Sequence, residues 1–311
     1  MKNRLLITMG DPSGIGPEII IKLFNSHNFD NIDLKVVGIK EAFLKHTNKL
    51  NFDIIEPDYN EEREFPLGVI NGYSGKAAML SIELAVKLIL NGKADALVTA
   101  PINKKAINLA GYNFPGHTEF LGSLTNSTNY SMMLMGDKIR TILVTTHLPL
   151  RDVPLKINRS NIEKAILNAH KAGPLFGTNN PHIAVASLNP HAGDNGLLGT
   201  EEEEIIIPAI ESMQYNGINV SGPYPADTLF AKMLNNFCDF AVVMYHDQGL
   251  IPVKMESFGN AVNVTLNLPI IRTSVDHGTA FDIVGKNIAS EGSLKRAIEI
   301  ANMMVNNVKS N

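Results

Sequence analysis

The sequence predicts an α/β protein of two lobes, each a mostly parallel sheet covered by helices. Short apolar runs alternate with longer periodic segments, which is the signature of strands joined by helical crossovers. Each apolar run leads into a glycine, proline or histidine. At 311 residues, 44% hydrophobic and 19% charged, the chain is long enough for a sizeable core, and a core of this size tends to split in two.

The strands expected are Arg4–Thr8, Leu34–Val37, Ala96–Thr99, Ile142–Thr145, Ile183–Leu188 and Phe240–Tyr245. In an open α/β sheet ligands sit beyond the carboxyl ends of the strands, so the residues after these runs are where chemistry is expected. Among helices, Ser74–Leu90 is apolar on most faces, with Ser74 as a plausible cap. The last helix carries one apolar stripe, Leu294, Ile298, Ala301 and Val305, with Glu291 and Ser293 near its start. The acidic run Glu201–Glu204 follows Thr200 and reads as a helix start matched to the dipole. No repeat, low-complexity tract or linker marks a domain boundary.

A net charge of -4 and a pI near 6.1 exclude a protein that tracks nucleic-acid phosphates through clustered Lys and Arg. Any anionic ligand is then held by a few local cations. A single cysteine, Cys238, permits no intrachain disulfide and no Cys-rich zinc site, which suits a reducing compartment. The opening MKNRLLITMGDPSG has an apolar run too short for a signal peptide. No stretch approaches the roughly 18 apolar residues of a membrane helix. A cytoplasmic protein that engages neither nucleic acid nor membrane is expected.

The first strand runs into TMGDPSGIGPEI, where Gly10, Gly14 and Gly16 precede Pro17 and Glu18 at a helix start. Glycines admit a ligand close to the backbone, and a helix N-terminus favours an anion. The spacing is not the dinucleotide GxGxxG, so a purely structural turn is an equal reading. Histidines carry a sharper signal. His147 follows ILVTT, His191 sits in LNPHAGDNG, and His246 sits in VVMYHDQG, each at or just past a strand end. Three neutral imidazoles with open positions left for substrate form a catalytic metal arrangement. Any one alone is more often a satisfied polar residue. His27, His46, His170 and His182 read as surface or core fillers.

In FPGHTEFLG, His117 and Thr118 follow a Pro-Gly turn and open a short helix, suited to a phosphate or carboxylate, with a simple cap at Thr118 as the bland reading. Lys254, Asn263 and Arg272 interrupt apolar runs further on. A charge in such a run needs a partner: a bound phosphate, or an internal carboxylate such as Asp276 or Glu256.

The stretches GDPSGIGPE, TAPINK, GHTEFL, TTHLPLRD, LNPHAG, GTEE, GPYPADTLF, YHDQGL and RTSVDHGTA span nearly the whole chain. In that order they resemble the 4-hydroxythreonine-4-phosphate dehydrogenase family of pyridoxal 5'-phosphate (vitamin B6) biosynthesis. The resemblance implies NAD-dependent oxidation and decarboxylation of 4-phosphooxy-L-threonine to 3-amino-2-oxopropyl phosphate. It implies a homodimer with each site at the subunit interface and one divalent ion per subunit: zinc, magnesium or cobalt. His147, His191 and His246 correspond to the metal ligands, and His117, Thr118, Lys254, Asn263 and Arg272 to substrate contacts. Asp247 and Lys254 are the two candidates for the base that takes the hydroxyl proton. The wider group resembles isocitrate and isopropylmalate dehydrogenases, whose HGxAxDIAGK loop is echoed by HGTAFDIVGK, with Phe281 in place of a proline. That echo assigns Gly278, Asp282 and Lys286 to the NAD site. The implied lobes are 1–126 with 270–311 for NAD, and 127–269 for metal and dimerisation. A paralogue acting on threonate or erythronate 4-phosphate stays open, as does a more distant metal-dependent hydrolase or nucleotide-binding regulator.

Overall fold

Among the described residues, eleven strands run in chain order as β1 (Asn3–Thr8), β2 (Ile32–Val37), β3 (Ile54–Ile55), β4 (Ala96–Thr99), β5 (Ser131–Met135), β6 (Arg140–Leu143), β7 (Ile183–Ala186), β8 (Val220–Tyr224), β9 (Phe240–Val243), β10 (Val262–Leu266) and β11 (Ile271–Val275). They are seen in a computed structural model that describes residues 2–61 and 63–310. The chain folds into two compact units, Met1–Thr128 with Leu268–Ser310, and Asn129–Asn267.

In the first unit the strand order is β3-β2-β1-β4-β11, and every neighbouring pair is parallel. Such a sheet must be covered on both faces. Helix Gly72–Leu90 buries Ala78, Ile82 and Ala85, and helix Gly292–Ser310 buries the expected stripe, Leu294, Ile298, Ala301 and Val305. The cap expected at Ser74 lies three residues earlier: Asn71 Oδ1 accepts the Ser74 N–H at 2.8 Å, and Ser74 is buried inside the helix. In the second unit the order is β10-β5-β6-β9-β7-β8. Here β10-β5 and β5-β6 are antiparallel, whereas β6-β9, β9-β7 and β7-β8 are parallel. Its core joins Leu143, Ala184, Ala241, Val243, Leu250 and Val253.

The α/β reading of the sequence therefore stands, and all six expected strands exist, three of them with shorter carboxyl ends. Five strands escaped it. β5, β10 and β11 are buried on nearly every residue, so they show no polar alternation, and β8 carries Gly222 and Pro223, which read as turn residues.

Asp95, at the turn into β4, staples the amino-terminal strand to the last helix. Arg4 Nη2 donates to it at 2.9 Å, the Arg4 N–H at 2.8 Å and Lys309 Nζ at 3.2 Å. Burial pushes the carboxyl up, but these donors outweigh it and leave the pKa at about 2. A carboxylate depressed on folding stabilises fully above its unfolded pKa, and that stability drains away as pH falls from about 4 to about 2. Asp95→Asn should cost about 1–2 kcal/mol at neutral pH. In urea denaturation followed across pH, the gap to wild type should close by pH ~2; a gap that persists there would contradict the staple.

Candidate functional site

The glycine-rich turn after β1 is built by close backbone packing. Gly10 has φ +71, and a Cβ there would strike the carbonyl of Pro101, so only glycine fits. Pro17 opens helix Gly16–Ser26. The turn straps down the segment that carries the NAD-site candidates: the Ile15 N–H donates to Thr279 O at 3.0 Å, and the Gly285 N–H to Glu18 Oε2 at 2.8 Å. Lys22 Nζ adds bonds to the carbonyls of Asn287 and Ala289 at 2.8 and 2.6 Å. Gly278, Asp282 and Lys286 all lie exposed on this segment, with open space around Gly278. The turn also hides a group that the sequence did not single out. Asp11 is 1% exposed, its Oδ1 accepts the Ser13 N–H at 2.9 Å, and burial pushes its pKa up to about 7.

Arg272 lies on β11 and is 2% exposed. Its Nη2 donates to Thr99 Oγ1 on β4 at 2.7 Å, and the charge of Glu119 acts on it. Glu256, one of the two carboxylates considered as a bland partner, accepts the N–H groups of Asp137 and Lys138 at 3.1 and 3.0 Å. Burial lowers the guanidinium to about 9, so it stays charged at neutral pH. His117 opens helix His117–Leu124, with Gly116 at the cap position and Thr118 one residue inside, so Thr118 is not the cap. Burial, then the charge of Arg272, pulls the His117 imidazole well below its usual pKa, and its buried Nε2 has no hydrogen-bond partner among the described residues. A neutral donor beside a buried cation, with one nitrogen unused, is apt for an anion.

In the second unit, β6, β9 and β7 lie side by side and parallel. Their carboxyl ends lead to His147, His246 and His191 in turn. His147 and His246 have ring centroids 5.6 Å apart. His246 is the first residue of helix His246–Ser257, and its Nδ1 lies 2.7 Å from Asp247 Oδ1. A carboxylate on one imidazole nitrogen sets the tautomer and leaves the other as a lone pair, which is the usual support for a metal ligand. His191 stands on a contorted loop in which His191, Ala192, Asp194 and Asn195 all have positive φ, between +45 and +55. Among the described residues no three His, Cys, Asp or Glu side chains are grouped so as to hold a metal ion. Among the described residues one chain supplies imidazole donors, the rings of His147 and His246 near each other and His191 on the loop after the neighbouring strand, without gathering three of them around one point.

One expectation is revised in detail. Glu201–Glu204 does open a helix, through a π-helical turn at Glu202–Ile206, but Glu202 is 1% exposed and more than a dipole match. Its Oε1 accepts the N–H groups of Leu188 and Asn189 at 2.8 and 2.7 Å, and its Oε2 accepts Asn189 Nδ2 at 2.9 Å. A buried carboxylate thus fixes the turn just before His191. Lys254 is exposed on helix His246–Ser257, two turns past His246, and Asn263 sits on β10 opposite Leu134. Asp247 is also exposed, its side chain at 73%.

The sequence matches the family described as pyridoxal phosphate biosynthetic protein PdxA over residues 6–301. A 4-hydroxythreonine-4-phosphate dehydrogenase of Sulfurihydrogenibium sp. is 42% identical over 319 residues, covering 96% of this chain and 97% of the relative. A D-threonate 4-phosphate dehydrogenase of Cupriavidus necator is 43% identical over 314 residues, covering 94% of each chain. Among solved structures, a 4-hydroxythreonine-4-phosphate dehydrogenase from Klebsiella pneumoniae matches with a TM-score of 0.90 at 38% identity, covering 98% of this chain and 100% of that one. Likeness of this extent, through both units, makes this chain a member of the pyridoxal phosphate biosynthetic protein PdxA family.

Proposed function

We propose that the chain is an NAD-dependent, divalent-metal-requiring dehydrogenase that oxidises a small 4-phosphorylated 3-hydroxy acid and releases carbon dioxide from the 3-oxo acid formed. The observation that carries this reading is the placement of His147, His246 and His191 beyond the carboxyl ends of three adjacent parallel strands, where α/β proteins bind ligands. Those three residues would hold the ion. When bound, the ion supplies Lewis acidity toward the substrate hydroxyl and the later enolate, and the nicotinamide accepts the hydride. In a site shared between subunits, one chain need not bring all three rings together.

The residues of the chain do the rest. Arg272, His117 and Thr118 bind the phosphate or carboxylate, with Arg272 held in line by Thr99. Lys254 and Asn263 complete the substrate contacts. Lys254 or Asp247 takes the hydroxyl proton; both are exposed in the chain and so open to a substrate. Gly278, Asp282 and Lys286 line the NAD site, which makes residues 1–126 with 270–311 the NAD lobe and 127–269 the metal and dimerisation lobe. The resemblance to the family supports a homodimer with the site at its interface, and a single cysteine suits a cytoplasmic location.

4-Phosphooxy-L-threonine is the preferred substrate, with 3-amino-2-oxopropyl phosphate as product on the route to pyridoxal 5'-phosphate. The relative named for D-threonate 4-phosphate, 43% identical, supports the sugar acid as a second reading. The test is the appearance of reduced nicotinamide on adding NAD, a divalent ion and each acid, phosphorylated and not. The phosphorylated acids should turn over. Without the phosphate both kcat and KM should worsen, because binding energy at a remote group orients the reacting centre. Phosphate release without nicotinamide reduction would move the reading to a hydrolase.

Replacing His147, His191 and His246 singly by Ala should give three similar, large losses of turnover and bound metal. A double variant should be no worse than a single one, since residues acting on one ion are not additive. A divalent ion should rescue chelated wild type but none of the variants. One variant keeping both metal and turnover would remove that residue from the site.

A further inference from the structure

We propose that Gln248 is a positioning residue that locks the three histidine-bearing strand ends to one another, an inference that rests on the metal-site reading above. Gln248 is 8% exposed and lies two residues past His246. Its Oε1 accepts the Met244 N–H at 2.7 Å, and its Nε2 donates to Ser187 O at 2.6 Å. Met244 follows β9 and precedes His246 by two residues; Ser187 follows β7 and precedes His191 by four. One side chain thus spans the roots of two histidine loops.

The carbonyl of the same residue reaches the third loop. Met244 O accepts the Thr145 N–H at 3.2 Å and the Thr145 Oγ1 hydroxyl at 2.7 Å, and Thr145 precedes His147 by two residues. Ser187 in turn donates its hydroxyl to Asn189 O at 2.9 Å, in the turn that Glu202 holds. Thr145, Met244, Gln248, Ser187, Asn189 and Glu202 form one hydrogen-bonded frame beneath the histidines. Within it the amide of Gln248 is suited to its place by chemistry: it offers a donor and an acceptor on one side chain, whereas an ionised Glu cannot donate and a Met has no donor and only a weak acceptor. Partners behind the ligands orient a metal site, and their loss typically costs about 10–100-fold in metal affinity.

The test titrates wild type, Gln248→Met and Gln248→Asn with cobalt(II), following the visible absorption of the bound ion alongside calorimetry, thermal melting and circular dichroism. Met keeps the volume, loses the donated bond and leaves at most a weak acceptor, and Asn keeps the amide on a stem too short to span both partners. The Met variant should fold, bind cobalt about 10–100-fold more weakly with an altered absorption band, and regain turnover as cobalt is raised; the Asn variant should fall between. If the Met variant does not fold, the Asn variant decides by the same reading. Wild-type cobalt affinity and spectrum in a folded variant, with only a lower melting temperature, overturns the role of Gln248 and leaves the metal reading intact. A wild-type chain that takes up no cobalt overturns the metal reading, and this inference with it.

Discussion

Parallel strands that end at one edge leave peptide groups with no further ladder to join, and the satisfaction of those groups shapes the rest of the second unit. Buried backbone N–H and C=O groups must be paired. At the ends of β6, β9 and β7 the pairing passes to Thr145, Gln248 and Glu202. The same bonds that satisfy the backbone fix where each chain segment turns away. Three histidines leave the sheet at those turns, so the demand of the fold and the geometry of the candidate metal site are met by one set of contacts. The contorted backbone at His191, with four non-glycine residues at positive φ nearby, is tolerated because the turn before it is over-determined.

The first unit answers a different problem. A guanidinium on a central strand, 2% exposed, is costly unless something anionic faces it. The Thr99 hydroxyl accepts from its Nη2 and orients it, the charge of Glu119 acts on it, and the nearby His117, its pKa pulled well below the usual value, adds a neutral ring rather than a second charge. The same unit ties its glycine turn to the segment around Thr279 and Gly285 through backbone and Glu18 contacts, which gives an exposed loop a defined path.

The sequence made the architecture readable where periodicity was clean: the stripe of the last helix and the apolar runs of β1, β4, β7 and β9. It hid β10 and β11, whose buried runs lack alternation and include Asn263 and Arg272, residues that look out of place in a strand until their partners are seen. The histidines were legible because each follows a strand. The frame under them was not. Gln248 and Thr145 are ordinary polar residues whose partners lie 61 and 99 positions away, and Glu202 sat in an acidic run that a helix dipole explains just as well. Asp11 lay within a motif whose glycines drew the attention, and only burial distinguishes it.

The proposed dehydrogenase activity depends on one ion held by residues from three loops. Crystals of the protein soaked in cobalt(II), with anomalous scattering measured at the cobalt edge, would locate that ion directly. A single anomalous peak per subunit within coordination distance of imidazole nitrogens of His147, His191 and His246, contributed by one chain or by two, is the predicted result. A peak elsewhere, or one that leaves any of the three histidines unligated, would contradict the account.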